Sequence, residues 1–208
     1  MYELITNLKQ YDQTIARWVS HIISPHVVGS VMACLLTFLY NDKPFVAFLW
    51  LLMSIFVVTV PPIAYILWLV HTGHLQDFYM PQRSKRLRPL IFVIVWLFIC
   101  LMGLRYLQAP LSIEVVILFV LALTVTMSII TLFWKISFHS ASITTAFVTL
   151  VIVVGVKAWF ALLLIPLVGW SRVRLQRHTP YQVLMGCLVG VLIALLMTQH
   201  PTVVTLIE

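Results

Sequence analysis

A chain of 208 residues that is 62% hydrophobic and 9% charged, with a mean hydropathy of +1.06, carries more apolar side chain than a soluble domain of this size can keep from water. The net charge of +7 sits at a few junctions instead of spreading over one face, which argues against nucleic acid and for anionic or phosphorylated lipid as the partner. Cys34, Cys100 and Cys187 all fall inside apolar runs, so neither a disulfide framework nor a metal-binding knuckle is expected.

Residues 1–21 set Leu4, Leu8, Tyr11, Ile15, Trp18 and Ile22 at steps of three and four, with Lys9, Asp12 and Arg17 on the other side. That period predicts an amphipathic helix lying in the membrane interface. The remainder, 22–208, reads as one transmembrane domain. At about 20 apolar residues per crossing, spans are expected near 22–40, 45–70, 90–107, 113–133, 138–155, 157–171 and 180–198. The expected fold is therefore all-α, a polytopic membrane bundle of six to seven transmembrane helices. Pro61-Pro62 should kink or split the overlong second span, and Pro166 shortens the sixth. Asn41-Asp42-Lys43-Pro44, Gln108-Ala109-Pro110 and Gly155-Val156-Lys157 read as turns.

Parity follows from that count. Two spans separate the 71–89 junction from His139, and two more separate His139 from His178, so the three polar junctions share one side with the N-terminus. That side holds Lys9, Arg17, Arg83, Lys85, Arg86, Arg88, Lys135, Arg172, Arg174 and Arg177, against Lys43, Arg105 and Lys157 opposite. The positive-inside rule then makes the junction side cytoplasmic, in a cell (inner) membrane.

Two imidazoles and a group of guanidinium groups at one membrane surface suit chemistry on a phosphate. In Ser171-Arg172-Val-Arg-Leu-Gln-Arg-His178-Thr-Pro-Tyr-Gln182, the Ser-Arg, five residues, then His resembles the third signature of the type 2 phosphatidic acid phosphatase superfamily. This superfamily also includes bacterial acid phosphatases and vanadium haloperoxidases. Ile136-Ser137-Phe138-His139 resembles the second signature, Pro-Ser-Gly-His, at its Ser and His. Arg88-Pro89 match the end of the first, whose Lys position falls on Pro81, with Arg83, Lys85 and Arg86 nearby. The resemblance covers about 71–186.

That resemblance implies a metal-independent lipid-phosphate phosphatase with no cofactor. It casts His178 as the nucleophile that forms a phosphohistidine and His139 as the general acid. Arg172, Arg83, Arg86, Arg88 and Ser137 become phosphate-binding residues. The Asp that orients the nucleophile in the family is replaced here by Gln182, which keeps an acceptor but loses the negative charge. The expected substrate is a phosphorylated lipid such as phosphatidate or a polyprenyl (di)phosphate. The alternative is a catalytically impaired relative that binds anionic lipid or assists a partner membrane enzyme.

Other classes fit less well. A metal-dependent transferase needs clustered aspartates for Mg²⁺, and the chain has six acidic residues without such a cluster. In His71-Thr-Gly-His74-Leu-Gln-Asp77, two imidazoles and a carboxylate recur at three-residue steps, but Gly73 marks a loop and a fourth ligand is lacking, so a polar helix end is expected. A transporter is opposed because no single span carries an internal charge pair or an inverted repeat.

Overall fold

A computed structural model describes residues 2–75 and 87–207, with side chains from Gln10 onward. Among them, regular structure is entirely helical: α1 (Tyr2–Ile22), α2 (Pro25–Leu39), α3 (Pro44–His71), α4 (Leu87–Tyr106), α5 (Leu111–Phe133), α6 (Phe138–Val154), a 3₁₀ segment (Val156–Leu163), α7 (Leu164–Arg174), α8 (Pro180–Thr198) and α9 (Pro201–Ile207). Five helical stretches are long and apolar enough to cross a membrane, and a sixth is added if Gln10–Ile22 and Pro25–Leu39, bent by 41°, count as one span. The chain is thus an integral membrane helical bundle. At 17 residues, α6 reaches only about 25 Å against a hydrocarbon core of about 30 Å.

The stretch from Val156 to Arg174 solves its shortness through its backbone. Eight of its residues form 3₁₀ helix and eleven form α7. At about 2.0 Å rise per 3₁₀ residue and 1.5 Å per α residue, it extends about 32 Å. Pro166 falls in the first turn of α7, where a missing N–H breaks no helical bond.

The chain divides into two compact units. The first joins Met1–Val28 to Ile136–Thr198, and its central contact is α6 against α8. Lipid removes the hydrophobic drive between helices, so close approach by small residues takes its place. Gly186 and Gly190, one turn apart on α8, face Ser140, Ala141, Thr144 and Thr145 of α6. A Cβ at Gly186 would lie 2.7 Å from the Ser137 carbonyl oxygen, and one at Gly190 would lie 2.6 Å from that of Ala141. Thr145 Oγ1 donates to the Gly190 carbonyl at 3.1 Å.

In the same unit, α1 packs against α7. Ala16 and Ser20 are buried on that side, whereas Tyr11, Ile15, Trp18 and Ile22 are each more than half exposed. The apolar stripe legible in the sequence therefore points away from the protein.

The second unit comprises Gly29–Lys135 with Gln199–Glu208. Leu97, Leu101, Leu104, Ala109, Ile113 and Ile117 bury together where α4 and α5 meet. Pro61-Pro62 do not split the span, since α3 runs unbroken from Pro44 to His71. Pro61 leaves the carbonyl four residues earlier, at Val57, without its helical donor. The indole Nε1–H of Trp96 in α4 donates to that oxygen at 2.9 Å.

Candidate functional site

The second and third sequence signatures come together in the first unit. Ser137 caps α6: its Oγ accepts from the Ser140 N–H at 3.3 Å and meets Ser140 Oγ at 2.9 Å. Its own N–H donates to the Gln182 carbonyl at 3.3 Å, tying the head of α6 to the first turn of α8. Ser137 is fully buried, and His139 follows it in the opening turn of α6, half-buried.

The stretch between α7 and α8 is built by two motifs in succession. At the end of α7, the Gln176 N–H donates to the Val173 carbonyl at 2.9 Å and the Arg177 N–H to the Arg172 carbonyl at 3.1 Å. Gln176 itself sits at φ 53°. This is a Schellman closure with glutamine where glycine is usual. The His178 N–H also reaches the Arg172 carbonyl, at 3.4 Å, so the turn itself couples His178 to Arg172.

A capping box then opens α8. Thr179 Oγ1 accepts from the Gln182 N–H, and Gln182 Oε1 accepts from the Thr179 N–H, each at 3.3 Å. Pro180 occupies the first helical position, which suits its fixed φ. Because Oε1 is the amide atom that faces the Thr179 N–H, Gln182 turns an acceptor toward His178 Nδ1, 3.2 Å away. With an acceptor there, the imidazole donates from Nδ1–H to Gln182 Oε1.

Positive potential gathers around His139. Arg172, His178, His26 and His21 all act electrostatically on its ring. Arg172 is half-buried and its Nη1 donates to Ser20 Oγ of α1 at 2.6 Å. Two residues on, Arg174 pairs with the Asp12 carboxylate.

Of the residues expected from the sequence, Ser137, His139, Arg172, His178 and Gln182 fall in this one unit. Arg88 belongs to the second unit and stands exposed in the first turn of α4. Arg83, Lys85 and Arg86 lie outside the described residues, as does Asp77. His74 stacks on Trp68 and its Nδ1 meets Thr72 Oγ1 at 2.8 Å. Among the described residues, no group of three or more His, Cys, Asp or Glu is arranged to hold a metal.

Thr179 escaped the sequence reading although its signal, Thr-x-x-Gln before an apolar run, was present. Ser20, Asp12 and His26 carried no such signal, because nothing local in the sequence relates them to Arg172 or His139.

An apolar helical bundle with five or six span-length stretches belongs to the class of polytopic membrane proteins. Residues 112–204 match the model of the PAP2 superfamily, consistent with a PAP2/acid-phosphatase-like fold. Comparison with curated proteins and with solved structures gives no match.

Proposed function

We propose that this chain is a membrane lipid-phosphate phosphatase that works without metal through a phosphohistidine at His178. The observation that carries the reading is the geometry of one imidazole. Gln182 Oε1 holds His178 Nδ1, while the turn ties His178 to Arg172 and its charge reaches His139. The substrate is a phosphorylated lipid of the phosphatidate or polyprenyl (di)phosphate type, with its tail in the bilayer.

His178 Nε2 attacks phosphorus in line with the lipid oxygen, and the P–O bond to the lipid breaks. Arg172 compensates charge on the equatorial oxygens. His139 gives its proton to the departing alkoxide. Water, deprotonated by the same imidazole, then cleaves the phosphohistidine and releases phosphate. An arriving phosphate reverses the local potential, so substrate binding brings the proton that the leaving group needs. Ser137 acts through its cap on α6.

The same reading sets α1 in the interface with Tyr11, Ile15, Trp18 and Ile22 toward lipid, followed by one transmembrane domain. It sets the site on the cytoplasmic side of a cell (inner) membrane. Counting α2 and α6 as crossings brings the bundle to seven.

A second reading is favoured by Gln182, whose amide lacks the charge that stabilises an imidazolium. In that reading the protein binds anionic lipid or assists a partner enzyme with little turnover.

Purified protein in detergent micelles should release phosphate from phosphatidate in the presence of a chelator, and His178→Ala should remove that release. Wild-type release no greater than that of His178→Ala ends the catalytic reading and leaves the binding one.

A further inference from the structure

Helix α1, which precedes the family-matched stretch, reaches two of the three arginines of the third signature, Arg172 and Arg174. Asp12, Ala16 and Ser20 recur at steps of four and therefore share one stripe of α1. Ala16, with no exposed surface, lets α1 lie close against α7. On either side of it, Asp12 takes Arg174 and Ser20 takes Arg172. The two acceptors differ in kind. A carboxylate neutralises the guanidinium it holds, whereas a hydroxyl orients one while adding no negative charge. His21 and His26, on either side of the α1–α2 junction, act electrostatically on the His139 ring, which places that junction beside the same imidazole.

We propose that α1 is a working part of the anion site, with Ser20 as the positioning residue that aims the Arg172 guanidinium at phosphate, and Asp12 as the anchor that holds α1 there through Arg174. This rests on the phosphate-site reading of Arg172 above. The contact joins residues 152 positions apart in sequence, so the N-terminal helix sets the affinity of a site whose chemistry lies near the other end of the chain.

The test is phosphate binding rather than turnover, measured by calorimetry with inorganic phosphate on the full chain in detergent. Hydrogen bonds to charged groups contribute about tenfold in affinity, and Ser20→Ala should weaken phosphate binding by about that factor. Ser20→Thr keeps the hydroxyl and should bind within about twofold of wild type. Ser20→Asp keeps an acceptor but neutralises Arg172, and should weaken binding more than Ser20→Ala does. With turnover, Ser20→Ala should lower kcat/KM and Ser20→Thr should restore it.

Unchanged affinity in both Ser20→Ala and Ser20→Asp, with Arg172→Lys impaired, overturns the positioning role and leaves the phosphate site standing. Equal losses in Ser20→Ala and Ser20→Thr also overturn it, because the hydroxyl would then be irrelevant. Wild-type protein that binds no phosphate removes the site and this proposal together. Phosphate binding without lipid-phosphate hydrolysis removes only the catalytic reading.

Discussion

The turn after α4 and the turn after α7 use one backbone device. Each ends its helix in a Schellman closure with a glutamine at positive φ, 54° for Gln108 and 53° for Gln176. Each is followed within four residues by a proline that starts the next helix. Their side chains then diverge. At the first turn, Arg105 Nε meets Glu114 Oε2 at 3.1 Å, and the acid is 11% exposed. At the second, the early α8 position that faces the turn is the neutral Gln182, and what it holds is His178. The first hairpin neutralises its arginine and is structural. The second sets a neutral amide against the imidazole, and on the proposed reading this turn is the one that meets the phosphate.

The sharpest way to break this contrast is to give the second hairpin the charge of the first. Gln182→Glu is isosteric, so it keeps the reach to His178 and to the Thr179 N–H. In the serine-protease triad, exchanging the orienting carboxylate for an amide costs about 10⁴ in turnover. Gln182→Glu should therefore raise chelator-resistant phosphate release, by up to about 10⁴-fold. A rate equal to wild type would mean that the amide already gives the imidazole all it needs, and that the missing charge does not limit the enzyme.

Glycine separates the two units next. Gly190 of α8 has no room for a methyl group, with the Ala141 carbonyl 2.6 Å and Thr144 Cβ 2.8 Å from where it would sit. Gly103 of α4 has nothing within 4 Å. Overpacking a close helix contact costs about 1–3 kcal/mol, whereas an open helical glycine replaced by alanine gains up to about 1 kcal/mol. Gly190→Ala should thus lower the thermal midpoint in detergent and Gly103→Ala should raise it. Only Gly190→Ala should also slow phosphate release, because α6 and α8 carry His139 and Gln182. Shifts of the same sign would show that close α6–α8 approach is not what holds the site together.

These contrasts mark what a linear reading can reach. Helix positions were legible because apolar runs of span length are long, local signals: the run expected at 180–198 matches α8 residue for residue. His178 and Gln182 were legible as neighbours because a helix starting at Pro180 brings its first turn close to the residues just before it. The unbroken α3 was not, since the donor that rescues Val57 lies on another helix, at Trp96. Nor was the face of α1 that binds α7. The strong apolar stripe drew attention to Tyr11 and Trp18, while the stripe that makes contact is Asp12, Ala16 and Ser20, small and polar residues without a periodic apolar signature. Helix α9 was missed because seven residues are too few to show a period. The cations of the first signature, apart from Arg88, lie outside the described residues.

The smallest effects return to the two glutamines. A non-glycine residue in the left-handed region costs about 1 kcal/mol, part of which a glycine returns as entropy lost on folding. Gln108→Gly and Gln176→Gly should each stabilise the protein by less than about 1 kcal/mol, read as a small rise in thermal midpoint. Their effects on turnover should differ. Gln108 serves only a hairpin, so its replacement should leave phosphate release unchanged. Gln176 sits in the turn whose bonds to the Arg172 carbonyl position His178, and a looser residue there should reduce release by about twofold, since a misplaced catalytic group lowers the fraction of productive geometry. If Gln176→Gly were as silent as Gln108→Gly, the capping box of Thr179 and Gln182 alone would be holding the imidazole, and the rigidity of the α7 turn would serve the fold rather than the chemistry.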